Sequence, residues 1–234
     1  MILFHIYIDS AEYIESEEHP EILTSDSMAF YDPRLKFLGG RIICPKDSLE
    51  VSKLGNFTIK SNLDDYNIAR ILYGVPEGDS EVKNALPLNL NFHHLNGISF
   101  KKGCYIGQEL TQRTYYTGVL RKKLMPYVIT DKMNFSIQED STISLLIPYN
   151  SIDKSYDLAI KNKEIKSEDG VVIGSVVNQL FNCGLCLIDT EKLNMINQSK
   201  FNIEGLNIVF YDPVELWKTA ADFQDIGDNS SDIN

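Results

Sequence analysis

The sequence is poor in the residues that mark specialised protein classes. Cysteine occurs four times in 234 residues, at positions 44, 104, 183 and 186, without the paired spacings of a zinc site or the density of a secreted disulfide framework. That usage fits a reducing compartment. Glycine (14) and proline (8) are too sparse for a collagen-like or low-complexity chain. The apolar opening Met1–Ile8 (MILFHIYI) is far short of the ~20 residues that cross a bilayer and lacks the basic start of a secretory signal, so it reads as a strand. Basic residues are outnumbered 33 to 22, a formal net charge of −11. Such a field repels phosphate backbones and anionic lipids, which argues against generic nucleic-acid or membrane-surface binding. There is no glycine-rich phosphate loop and no dinucleotide fingerprint.

With 43% hydrophobic and 24% charged residues, the chain has material for one large or two modest cores. The first third has α/β character. Strand-like runs at Leu3–Ile8, Met28–Tyr31 and Arg41–Cys44 are separated by acidic or proline-bearing turns. Ser61 and Asp64 form a capping box, after which Leu63, Tyr66, Ala69 and Tyr73 recur at helical spacing until Gly74 and Pro76. Residues 75–96 form a long connection, which a compact domain keeps only where it packs or performs a task. Beyond Leu120 the pattern becomes short and alternating, at Lys123–Ile129, Thr142–Ile147, Val171–Val177, Cys183–Ile188 and Leu206–Tyr211. This predicts a separate small β-barrel. Asp222–Asn234, with four aspartates and no basic residue, reads as a flexible tail. The expected organisation is therefore an α/β region over 1–119, a barrel over 120–220 and an acidic tail over 221–234.

Residues 97–123, GISFKKGCYIGQELTQRTYYTGVLRKK, depart from the rest in charge. Six cations (Lys101, Lys102, Arg113, Arg121, Lys122, Lys123) face the single carboxylate Glu109, so this segment carries +5 and the remainder −16. Charge alone is as compatible with a solvated edge as with a site for an anion or an acidic partner. Cys104 lies in its middle, beside Gly103 and just before a helical run over Gln108–Tyr115. A thiol near a helix N-terminus and two lysines is a candidate nucleophile or soft-metal ligand, against the bland alternative of a small buried residue. Cys183 and Cys186 stand three apart in a strand-like run, where they face opposite sides of a sheet and cannot chelate one ion. They read as core, as does Cys44 before Pro45. His93 and His94, upstream of the motif, are conceivable partners for a cysteine nucleophile, but no third orienting residue marks them.

The string KGCYIGQE (Lys102–Glu109), preceded by GISFK and followed by Arg113, Gly118 and Arg121, resembles the signature of the YgfZ-type iron–sulfur cluster assembly proteins, relatives of the glycine-cleavage T-protein. YGVPEG (Tyr73–Gly78) and ALPLNLNF (Ala85–Phe92) resemble that family's approach to the motif, and GVVIGSV and NCGLCLIDTEKL its C-terminal barrel. The resemblance runs from about Ala29 to Trp217 and implies an α+β fold: an incomplete aminomethyltransferase-like folate-binding domain followed by a small C-terminal β-barrel. It further implies a late-acting assembly factor, not a turnover enzyme, which shares a [2Fe-2S] cluster with an A-type carrier protein through Cys104 and assists [4Fe-4S] maturation of target enzymes. Lys102, Gly103, Tyr105, Gly107, Gln108, Glu109 and Arg113 would shape that site. Asn91, Lys101 and Arg121 are the candidates for tetrahydrofolate or another anion, and a tetrahydrofolate-dependent aminomethyl transferase is the alternative reading. A single cysteine cannot hold a cluster that takes four protein ligands, so a partner must supply the others. The implied location is the mitochondrial matrix in a eukaryote, although no Arg- and Ser-rich presequence opens the chain, or the cytoplasm in a bacterium.

Overall fold

The computed structural model describes residues 2–6, 28–35, 38–45, 63–83, 85–131, 152–156, 158–196, 200–214 and 217. The capping residue Ser61, the strand expected at Thr142–Ile147 and the acidic tail 222–234 lie outside them. The chain divides into two compact units, Met1–Asn67 and Ile68–Asn234, so the basic motif segment shares a unit with the barrel. Among the described residues no helix is long and apolar enough to cross a membrane.

In the first unit, β1 (Ile2–Ile6), β2 (Met28–Tyr31) and β3 (Gly40–Cys44) form an antiparallel sheet in the order β1-β3-β2. Ile2 faces Cys44 and Met28 faces Ile43 across the two ladders. Cys44 closes β3, and its side chain lies outside the described atoms. Behind β2 the buried Asp32 carboxylate accepts from Arg34 Nη2 at 2.6 Å and from Arg41 Nε at 2.8 Å. Both guanidinium groups also donate to the Tyr66 hydroxyl, at 3.1 and 2.9 Å. Burial pushes the Asp32 carboxyl up, but the hydrogen bonds and charges of Arg34 and Arg41 outweigh it and hold the group below its ordinary value.

The second unit is built on a closed six-stranded antiparallel barrel. Its strands are β4 (Lys122–Ile129), β5 (Glu164–Ser167), β6 (Val172–Leu180), β7 (Cys183–Asp189), β8 (Phe201–Ile203) and β9 (Leu206–Phe210), in the order β4-β7-β6-β5-β8-β9. Closure removes the open edges that a sheet would otherwise expose. Period-two alternation sorts the side chains. Met125, Tyr127 and Ile129 of β4 join Cys186 and Ile188 of β7 in the inner core, whereas Leu124, Val128, Cys183 and Leu185 build a second core on the outer face. Cys183 and Cys186 therefore point to opposite sides of β7, as their spacing predicts. Burial raises both thiols, Cys183 to about 12, so they are inert packing groups. Close packing leaves no room at Gly184, where a Cβ would stand 2.3 Å from the Asn178 carbonyl and 2.6 Å from the Tyr127 ring.

Helix α1 (Asp64–Leu72) supplies Ile68 and Ile71 to the outer core. Leu63, which the helical spacing placed on the apolar face, is instead 63% exposed. Arg70, inside the same helix, is buried and meets the buried Glu81 of the short helix α2 (Asp79–Val82) through two 2.9 Å hydrogen bonds. Asn178 of β6 donates to the same carboxylate at 2.5 Å. A short helix, α4 (Thr190–Met195), follows β7. Tyr211 and Trp217 meet the end of α1: the Tyr211 hydroxyl donates to Leu72 O at 2.5 Å and Trp217 Nε1 to Tyr73 O at 3.0 Å.

Candidate functional site

The connection before the motif is fixed to the barrel from within. Asn91 is fully buried with a positive φ of 60°; its Nδ2 donates to Leu124 O at 2.9 Å, and Leu124 N donates to Asn89 O at 2.8 Å. Gly97 N donates to Phe92 O at 2.8 Å, closing the turn that carries His93 and His94. From that anchored turn the chain leaves the surface of the barrel, and Lys101, Lys102, Gly103, Cys104, Tyr105, Ile106 and Gly107 are all exposed.

The hydrogen bonds of this loop are local. Tyr105 N donates to Gln108 Oε1 at 3.1 Å and Gln108 N to Tyr105 O at 3.3 Å, while Lys102 Nζ lies 4.7 Å from the Tyr105 ring centroid. Gly107, with φ 86° in the left-handed region, is the N-cap of helix α3 (Gln108–Thr117), a conformation that glycine adopts without strain. Gly118 ends the helix in the same conformation, its N–H reaching Thr114 O and Tyr115 O. The helix observed runs two residues past the expected Tyr115.

Helix α3 buries none of its residues. Arg113 is exposed, Leu110 and Tyr116 are 53% and 74% exposed, and Ile106 at the preceding turn is fully exposed. Glu109 is exposed as well. Of the six cations in the segment, Lys123 is drawn to Asp212 at 2.5 Å and Arg121 to Glu191 at 3.4 Å, while Lys101, Lys102, Arg113 and Lys122 stand exposed. Cys104 is thus a free, exposed thiol on a loop bordered by cations and uncovered apolar side chains. Lys102, Gly103, Tyr105, Gly107 and Gln108 share its loop and the helix cap that follows it. It does not bring Asn91 there, because that side chain is turned into the protein.

Several rings border this segment. Phe100 stacks on Tyr115 at 3.8 Å and 20°, and Tyr115 lies edge-on to His93 at 6.3 Å. His93 and His94 are 4.0 Å apart and His94 is 6.2 Å from Trp217. Burial, the neighbouring His94 and Lys123 push His93 down to about 4, and its Nδ1 is buried without a hydrogen-bond partner. His93 is therefore neutral and packed among aromatics. Between α3 and the turn at Leu86–Leu88 lies a notch of about 10 Å³, lined by Leu110, Thr111 and Thr114 on the helix side, room for about one water. Among the described residues no group of three or more His, Cys, Asp or Glu side chains is arranged to hold a metal ion.

No family model matches the chain. Curated proteins do. It is 30% identical to the mitochondrial iron–sulfur cluster assembly factor IBA57 homolog of Aspergillus clavatus over 234 residues, covering 95% of this chain and 50% of the relative. The corresponding protein of Coccidioides immitis is 31% identical over 195 residues, 81% of this chain and 45% of its own length. These relatives, to which the chain is similar, are named as iron–sulfur cluster assembly factors. Similarity to the mouse protein named IBA57 is concentrated, at 43% identity over 108 residues, 45% of this chain and 29% of that one. The chain spans about half, or less, of the length of the curated relatives it matches. At this coarser level the names agree with the resemblance carried by KGCYIGQE, and the six-stranded barrel with accompanying helices agrees with an α+β fold.

Proposed function

We propose that this protein works in iron–sulfur cluster assembly by presenting Cys104 as one thiolate ligand of a [2Fe-2S] cluster whose other ligands come from an A-type carrier protein. The reading extends to [4Fe-4S] maturation of target enzymes and to the mitochondrion, where the relatives are named as residing. The observation that carries it is the placement of Cys104: exposed, in a loop held only by local hydrogen bonds, with no companion ligand cluster among the described residues. Thiolate suits iron–sulfur ligation, and a four-ligand cluster on such a site has to be completed from outside. The residues present fit that task. Lys101 and Lys102 offset the negative charge of thiolate-ligated iron, Gly103 and Gly107 let the backbone turn tightly on either side of the sulfur, and Ile106, Leu110 and Tyr116 offer apolar area for a partner to cover.

Anaerobic reconstitution with an A-type carrier, followed by visible absorption and circular dichroism, tests the reading. A spectrum that requires both proteins is expected from the wild type. Cys104→Ser is expected to lose it while keeping the far-ultraviolet signal of the barrel, because the exposed thiol contributes nothing to the core. Identical carrier-only spectra from the two proteins would overturn the assignment.

A further inference from the structure

The sulfur of Cys104 stands on a loop with almost no bonds of its own, yet a ligand has to be offered in one place. Two contacts of α3 with the body of the protein bear on this. Leu110, Thr111 and Thr114 lie beside the Leu86–Leu88 turn, and Tyr115 enters the ring series. Phe100, four residues before Cys104, stacks face to face on Tyr115, eleven residues after it. The stack therefore ties the root of the loop to the far half of the helix and closes residues 101–114 into a ring. From Tyr115 the series continues through His93 and His94 to Trp217, whose indole N–H is bonded to Tyr73 O. His93 and His94 themselves ride on the turn secured by Gly97 N to Phe92 O and by the buried Asn91.

We infer that Phe100 and Tyr115 are positioning residues: their stack clasps the motif segment and sets where the Cys104 loop stands relative to the barrel. Neither touches the sulfur. They act by narrowing the conformations the loop visits, so that a larger fraction of molecules offers the thiol in the arrangement a partner can use. An apparent dissociation constant is the intrinsic one divided by that fraction. Removal of the clasp should therefore weaken assembly without changing what is assembled. The second readout below rests on the cluster-sharing reading; the first does not.

A nitroxide attached to Cys104 in a Cys44→Ser background reports the loop directly, since Cys183 and Cys186 are buried. Tyr115→Ala and Phe100→Ala are each expected to raise its nanosecond mobility, the double variant no further than either single one, and Tyr115→Phe not at all. In reconstitution with an A-type carrier, the alanine variants should reach the wild-type end-point spectrum but need about tenfold more carrier at half saturation, with Tyr115→Phe restoring the wild-type midpoint. That pattern separates them from Cys104→Ser, which loses the end point. Unchanged probe mobility in both alanine variants, or mobility effects that simply add in the double variant, overturns the clasp. Absence of any cluster with wild type overturns the cluster reading instead, and the spin-label result still decides the clasp. Since neither Phe100 nor Tyr115 belongs to either core cluster, these variants are expected to keep the barrel's melting temperature, and Phe100→Leu offers a second variant that retains apolar bulk without a ring.

Discussion

The barrel and the motif segment of the second unit treat the same kinds of residue in opposite ways. In the barrel, β4 and β7 bury apolar side chains on both faces, so that even the thiols of Cys183 and Cys186 serve as packing. In the motif segment, a ten-residue helix buries nothing, and Ile106, Leu110, Tyr116 and Cys104 meet solvent. Stability in small domains comes from burial, so the first region carries the fold and the second is carried by it. A surface that leaves large apolar side chains uncovered beside a reactive group is organised for something outside itself. Substitutions chosen by chemistry alone should therefore behave differently according to region.

The largest effect is expected where the barrel's outer layer holds a charge. Arg70→Met removes the guanidinium from a buried pair with Glu81, leaving that carboxylate with the Asn178 amide and the Glu77 N–H at 2.8 Å. Breaking such a pair costs about 3–5 kcal/mol, and urea unfolding should report a loss of this size. A loss below about 1 kcal/mol would mean that water reaches Glu81. Leu185→Ala comes next. The side chain is 0% exposed in the outer core, and deletion of a buried leucine to alanine costs roughly 3 kcal/mol through lost transfer energy and the cavity left behind. Neither change should alter the rate at which iodoacetamide modifies Cys104, because the altered side chains belong to the other region.

What was legible in the sequence follows the same division. The barrel strands β4, β6, β7 and β9 announce themselves by alternating apolar residues, and the opposite facing of Cys183 and Cys186 follows from period two. The strands β5, EIKS, and β8, FNI, are too short and polar to show such alternation. The β8–β9 turn did carry a signal, Glu204-Gly205, both at positive φ as a two-residue hairpin requires. Helix α3 was legible to within two residues because its signals are local. The stack of Phe100 on Tyr115 was not, since it joins residues fifteen apart across a loop and a helix. Asn91 shows the same limit. A polar residue in a connection says nothing of its burial, and only the structure shows its Nδ2 bonded to the Leu124 carbonyl and its Oδ1 buried without a hydrogen-bond partner.

A smaller, pH-dependent effect arises at the boundary between the regions. His93 titrates near 4 in the folded protein, against an ordinary value of 6.5. Between these values the unfolded chain binds more protons than the folded one, so this residue's contribution to stability is complete above 6.5 and is lost as pH falls toward 4. The groups facing it are His94, Lys123 and the Tyr115 ring, with Asp212 paired to Lys123. Urea midpoints of the wild type should therefore fall more steeply from pH 7 to pH 5 than those of His93→Gln. Parallel profiles would show that solvent reaches the imidazole freely and that the ring series is looser than the structure describes.

The smallest effect is expected from the same deletion as at Leu185, made instead on α3. Leu110 is 53% exposed and belongs to neither core. Little apolar area returns to water on truncation and no enclosed cavity forms, while alanine is the better helix former by a few tenths of a kcal/mol. Leu110→Ala should consequently leave stability within about 0.5 kcal/mol of the wild type. Leu185→Ala and Leu110→Ala thus remove identical atoms, and the difference between their urea midpoints measures how far the two regions diverge. Were Leu110→Ala to cost 2 kcal/mol or more, the exposed part of Leu110 would have to be covered in solution, and the motif segment would belong to the load borne by burial after all. A near-zero cost, together with weaker assembly on an A-type carrier, would assign the exposed leucine to contact with the partner.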